Sequence, residues 1–169
     1  MKQSKELEVA IEASKKAGWL QLSRLNGKLD VQSKGLKDFV TDIDKESEKI
    51  ILGHLGKSFP SYAVLAEESG EKGNGECKWL VDPLDGTHNY MTRLPSFGVS
   101  IALERKGEII LGVIFLPCFN EMLFAEKGKG AFLNKKRIFV SKKAGLEGSS
   151  GSLSFTPKTG TIAEYSRFY

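Results

Sequence analysis

The chain is short of cysteine, of histidine and of long apolar runs, and each shortage removes a class of protein. Its two cysteines, Cys77 and Cys118, stand far apart with no C-x-x-C pair. They are therefore read as reduced structural thiols, neither a disulfide frame nor a zinc site. The two histidines, His54 and His88, have no H-E-x-x-H around them, which again argues against zinc. No run of about 18 apolar residues exists, and the opening Met1-Lys2-Gln3-Ser4-Lys5-Glu6 lacks the apolar stretch of a secretory signal, so a cytoplasmic protein without a membrane partner is expected. Charge of one sign is scarce too: 25 basic against 21 acidic residues leave +4, with a pI near 9.0. The densest basic stretch is Lys127, Lys129, Lys135, Lys136, Arg137, Lys142 and Lys143, interleaved with Phe132 and Phe139. It reads as a solvated hairpin with its apolar residues turned inward rather than as a nucleic-acid face.

What remains is an ordinary globular composition, 40% hydrophobic and 27% charged over 169 residues, enough for one well-buried core. From Leu7, the apolar positions Ala10, Ile11, Ala17, Leu20 and Leu25 recur at three- and four-residue spacing, predicting an amphipathic helix stopped at Gly27. A second helix is predicted from Thr41 to Leu55, capped by Thr41 or Asp42, with Ile43, Ile50, Ile51 and Leu55 on one face and Phe59-Pro60 as its stop. The period then shortens, predicting strands at 62–66, 78–81, 97–103, 108–116, 121–125 and 137–140. Their short, turn-rich links predict antiparallel hairpins. The expected fold is α+β, with layered helices packed on a mainly antiparallel sheet.

Residues 145–160 hold four glycines and four serines, the composition of a flexible connection. Beyond it, Thr161-Ile162-Ala163-Glu164 has the form of a capping box, with Tyr165, Phe168 and Tyr169 following at helical spacing. About two turns make a marginal helix. Residues 1–142 are thus expected to form an N-terminal metal-binding domain and 143–169 a connecting segment leading into a second half, the chain being the front of a longer protein.

The sharpest local signal runs Trp79-Leu80-Val81-Asp82-Pro83-Leu84-Asp85-Gly86-Thr87-His88-Asn89-Tyr90. A strand delivers Asp82 to a turn fixed by Pro83, and Asp85-Gly86 reverses the chain into a helix start at Thr87. Glu67-Glu68 also follow an apolar run, and Asp42 and Asp44 open the second helix. Taken singly, Asp-Pro and Asp-Gly are common turn dipeptides; together in this spacing they arise by chance with a probability on the order of 10⁻⁴. If Glu67, Asp82 and Asp85 converge, charges about 4 Å apart repel by roughly 4 kcal/mol per pair at an effective dielectric of 20. Folding then calls for a cation. All-oxygen donors, with the Leu84 carbonyl added, suit Mg²⁺, and amides at Gly86 and Thr87 favour an anion beside it. Asp42, Asp44 and Glu46 do not make an EF-hand, because Ser47 stands where that loop needs glycine.

These residues resemble the inositol monophosphatase family of Mg²⁺-dependent, Li⁺-sensitive sugar and polyol phosphatases. Asp38-Phe39-Val40-Thr41-Asp42-Ile43-Asp44 is similar to its D-x-V-T-x-x-D element, Ala66-Glu67-Glu68-Ser69 to G-E-E-S with alanine for glycine, and Asp82 to Tyr90 to D-P-[IL]-D-G-T-x-N-[FY]. The resemblance implies a phosphoric monoester hydrolase with Glu67, Asp82, Asp85 and the Leu84 carbonyl as metal ligands. It also implies that Asp44 holds Thr87, whose hydroxyl orients the attacking water, and that Asp85, Gly86 and Thr87 hold the substrate phosphate; Glu67, Asp44 and Thr87 form the catalytic set. The expected substrate is an inositol monophosphate or related sugar phosphate. Fructose 1,6-bisphosphate and 3′-phosphoadenosine 5′-phosphate are alternatives, and a non-catalytic regulatory or RNA-binding role is a further one. A homodimer is implied. The haloacid dehalogenase pattern fits less well, since its two acids are separated by one residue and Asp82 and Asp85 by two. The family's W-D-x-A element does not occur in these residues, so weak Mg²⁺ binding and little turnover are expected of the chain by itself.

Overall fold

The computed structural model describes residues 3–28, 30–35, 38–145, 147, 148 and 150. They belong to two compact units, Met1–Phe139 and Val140–Tyr169. In chain order the first unit runs α1 (Lys5–Arg24), β1 (Val31–Gly35), β2 (Asp38–Thr41), α2 (Asp42–Ser58), β3 (Ala63–Ala66), β4 (Gly70–Lys72), β5 (Cys77–Asp85) and α3 (Thr87–Met91), then β6 (Gly98–Arg105), β7 (Glu108–Leu116), a 3₁₀ turn (Pro117–Phe119), β8 (Glu121–Glu126), β9 (Gly130–Leu133) and β10 (Lys136–Ile138). Strands β10-β9-β8-β7-β6-β5-β3-β4 make one eight-stranded sheet in that order, and β1-β2 a separate hairpin. Of the second unit, the described residues carry neither helix nor strand. The predicted helix after residue 160, and most of the glycine- and serine-rich connection, lie outside the described residues.

Each helix forms where its sequence dictates. Ser4 caps α1, its hydroxyl accepting the Leu7 N–H at 3.2 Å. Thr41 caps α2 through a capping box with Asp44, which satisfies otherwise orphaned first-turn donors. The inward stripe of α1 is Leu7, Ala10, Ala13, Ala17 and Gly18, and that of α2 is Ile43, Ile51 and Leu55. Small residues bring α1 down onto the sheet. A methyl at Gly18 would stand 2.5 Å from the Phe115 ring, so only glycine allows this approach. Alternate residues of β5, β6 and β7, among them Trp79, Val81, Val99, Ile101, Leu103, Val113 and Phe115, are buried in one core with the helices. This is the period-two signature of a sheet covered on that face.

The α+β architecture is the expected one; β1, β2 and β4 form where no strand is predicted, and there are three further departures in detail. Residues Gly130–Leu133 form a strand that the sequence hides, because Gly130 and Ala131 supply no alternation to read. The last strand ends at Ile138 instead of residue 140; it is an edge strand paired only with β9, and Phe139 beyond it is 80% exposed. Third, β3 and β5 pair in parallel inside an otherwise antiparallel sheet. The basic hairpin meets its expectation in part: Phe132 stacks on Phe124 with centroids 5.2 Å apart, but Phe139 is not turned inward; Lys127 pairs with Glu108, and Lys129 pairs with Glu126 at 2.8 Å. Both cysteines are free.

Candidate metal and phosphate site

The parallel seam assembles the acidic groups. Ala66 of β3 and Val81 of β5 are register partners, and the Glu67 N–H continues the ladder onto the Val81 carbonyl at 3.1 Å. Parallel neighbours run in the same direction, so Glu67 and Asp82, each one residue past a register partner, stand side by side. Their carboxyls lie within hydrogen-bonding reach of each other. Burial pushes the Asp82 carboxyl up to about 7 from the ordinary 3.8; the charge and hydrogen bond of Glu67 and the charge of Asp85 add to the rise, and the Leu84 N–H opposes it. That N–H donates to Asp82 Oδ1 at 3.2 Å.

After Asp82 the ladder to β6 breaks: Asp82 pairs with Ser100 and Asp85 with Gly98, while Pro83 and Leu84 have no register partner. This bulge re-aims the strand end. It turns the Leu84 side chain into a small buried cluster with Ile43, Tyr90 and Phe97 and leaves the Leu84 carbonyl accepting the Thr87 hydroxyl at 3.1 Å. Gly86 then takes a left-handed conformation, φ +83°, and a Cβ there would stand 2.9 Å from the Ser96 carbonyl. Glycine is required twice over, by conformation and by space. The same Ser96 carbonyl accepts Asn89 Nδ2 at 2.6 Å, closing the turn that presents Gly86 and Thr87 at the start of α3.

The first turn of α2 meets this turn. Asp44 is 1% exposed. Its Oδ2 accepts the Thr41 N–H at 2.8 Å and the Thr41 hydroxyl at 2.5 Å, and its Oδ1 accepts the Thr87 hydroxyl at 3.0 Å. Of the residues singled out from sequence, Asp44, Thr87 and Leu84 are therefore linked directly, as are Glu67 and Asp82. Asp85, exposed at the end of β5, acts on Asp82 only through its charge. Among the described residues no three His, Cys, Asp or Glu side chains already form a group able to hold a metal ion. The geometry is a tight carboxyl pair with a third acid at longer range. The donors nevertheless fit a hard divalent cation, being all oxygen and mutually repulsive once ionised.

Sequence reading missed three buried polar residues behind the site. Glu48, 5% exposed, accepts the Glu68 N–H on Oε2 at 2.9 Å and so anchors the segment bearing Glu67. Ser47 and Gln21 are both fully buried; Gln21 Nε2 donates to Ser47 Oγ and to the Pro83 carbonyl. A signal was present: Asp44, Ser47 and Glu48 share a helical face with Ile51 and Leu55, and polar residues interrupting an apolar stripe call for partners.

Comparison with known proteins gives the family. The family model described as Inositol monophosphatase family matches residues 2–162. A Thermotoga maritima protein named fructose-1,6-bisphosphatase/inositol-1-monophosphatase is 42% identical over 157 residues, 90% of this chain and 61% of that one. A Xylella fastidiosa protein named Nus factor SuhB is 37% identical over 92% of this chain and 58% of its own length. The crystal structure of extragenic suppressor protein suhB from Bartonella henselae superposes with a TM-score of 0.81 at 41% identity, covering 83% of this chain and 56% of that one. The chain thus spans about three-fifths of the length of the curated relatives it matches. With that model matched over most of this chain's length and these relatives on the same fold, the chain belongs to the inositol monophosphatase family.

Proposed function

We propose that this chain carries the metal-binding part of a Mg²⁺-dependent phosphomonoesterase acting on inositol monophosphates or a related sugar phosphate. One observation carries the reading: a parallel register sets Glu67 beside a half-buried Asp82, whose carboxyl burial first, and the Glu67 charge second, push up to about 7, a mark of functional carboxyls. Glu67, Asp82, Asp85 and the Leu84 carbonyl are the proposed ligands. Bound Mg²⁺ would supply positive charge at the phosphate and Lewis acidity for the nucleophilic water. Thr87 has one hydroxyl proton and two acceptors, Asp44 Oδ1 and the Leu84 carbonyl. Donating to Asp44 leaves its oxygen lone pairs free to accept from a water and orient it. The Gly86 and Thr87 amides, with Asp85 alongside, hold the phosphate. Lithium inhibition, a homodimer and a cytoplasmic location belong to the same proposal.

The test is phosphate release by the full-length polypeptide from inositol monophosphates, fructose 1,6-bisphosphate and 3′-phosphoadenosine 5′-phosphate, with Mg²⁺ and with Li⁺ added. Mg²⁺-dependent turnover suppressed by Li⁺ is expected; none on any of the three removes the enzyme reading. A relative named Nus factor SuhB, a name that is not an enzyme's, leaves one second reading, a regulatory role, for which the basic hairpin is the candidate RNA-contacting face. Two of its lysines are already paired with glutamates, which weakens it. RNA affinity falling steeply with salt would restore it.

A further inference from the structure

We propose that Gln21 is a positioning residue for the acidic turn: its side-chain amide fixes the Pro83–Leu84 peptide and, through that peptide, the carboxylate of Asp82. The inference rests on the phosphatase reading and deepens it.

Gln21 lies on the inward face of α1 and is 0% exposed. Its Nε2 donates to the Pro83 carbonyl at 2.7 Å and to Ser47 Oγ at 3.2 Å. Its Oε1 is buried with no hydrogen-bond partner, a state that carries a desolvation penalty. An aliphatic side chain would fill the same space without that penalty, so the amide is explained by what its N–H₂ group does. The target is a carbonyl that no strand serves, because Pro83 falls in the bulge where β5 has no register partner on β6. The other end of the same peptide, the Leu84 N–H, donates to Asp82 Oδ1. One rigid, planar amide is therefore held at its oxygen by Gln21 and holds Asp82 with its nitrogen. Hydrogen bonding at the carbonyl polarises the N–H and strengthens its bond to the carboxylate. Tyr90, whose hydroxyl donates to the Gln21 main-chain carbonyl at 2.8 Å, ties α3 to the same residue. Gln21 thus links the helix layer to both the turn and the helix that follows it.

The experiment compares the parent with Gln21→Met, which keeps the volume and removes the donor, in the full-length polypeptide. Mg²⁺ affinity is measured by calorimetry, kcat and KM by phosphate release, and metal-free stability by thermal melting. Expected are a roughly tenfold larger Mg²⁺ dissociation constant, a lower kcat at subsaturating Mg²⁺, little change in substrate KM, and a modestly lower metal-free Tm, because the Pro83 carbonyl loses its donor. A purely structural role would lower Tm and leave Mg²⁺ affinity alone; that outcome, or an unchanged affinity at unchanged Tm, overturns the proposal. Should Gln21→Met not fold, the parent decides by NMR. On Mg²⁺ titration the Gln21 side-chain amide signals are expected to move together with the Leu84 backbone N–H, and immobile Gln21 signals at saturating Mg²⁺ overturn it. A parent that binds no Mg²⁺ at all fails the phosphatase reading instead.

Discussion

Glu67 and Asp82 each follow one of the register partners Ala66 and Val81 on neighbouring parallel strands, and the Glu67 carboxyl acts on Asp82 by its charge and by hydrogen bonding. Burial and the neighbouring carboxyl favour a proton on Asp82 unless a cation replaces it.

The first prediction concerns pH. The folded Asp82 carboxyl titrates at about 7 and an ordinary aspartate at 3.8. Between these values the folded chain keeps a proton that the unfolded chain has released. The stabilising contribution is complete below about 3.8 and is lost as pH rises through about 7. In a chelator, the parent is expected to lose thermal stability relative to Asp82→Asn between about pH 4 and 7, while Mg²⁺ stabilises it most above that window. Parallel melting profiles for the two proteins would sink the assignment.

Removing one acid of the pair separates binding from folding. Glu67→Gln or Asp82→Asn is expected to weaken Mg²⁺ binding and turnover by about 100-fold or more, with the metal-free fold kept or made more stable. Circular dichroism together with Mg²⁺ calorimetry checks both halves.

Thr87→Val keeps the shape of the side chain and removes the hydroxyl shared by Asp44 and the Leu84 carbonyl. A kcat lowered by about 10² with Mg²⁺ affinity held within a few-fold is expected, the size of a lost proton-orienting group. Loss confined to KM would assign Thr87 to substrate binding alone.

Gly86→Ala places a Cβ 2.9 Å from the Ser96 carbonyl at φ +83°. About 1–3 kcal/mol of destabilisation is expected, read as a lower Tm, together with reduced turnover from the displaced turn.

Much of this was legible in the chain. The helix stripes follow Leu7, Ala10 and Ala17, and Ile43, Ile51 and Leu55, because period 3.6 survives tertiary packing. The Asp82–Thr87 turn was legible because aspartate, proline and glycine each restrict the backbone in a known way. The parallel seam was not, since strand direction in a sheet is set by non-local pairing that leaves no local pattern; β4 and its short return stand between β3 and β5. Nor was Gln21, a polar residue whose partner is a main-chain carbonyl far along the sequence. The proximity of Glu67 to Asp82 could be expected from chemistry and from resemblance, but not how far Asp85 stands from the pair.

The seam between β3 and β5 has a consequence for how such sites vary. What the chemistry requires is that two strand ends finish level; the number of residues joining them is immaterial. Lengthening the return between β4 and β5 would leave the carboxyls together, whereas deleting one residue inside β3 would swing Glu67 to the opposite side of the sheet. Proteins built on this plan can therefore drift in the spacing between these two acids while keeping the pair intact.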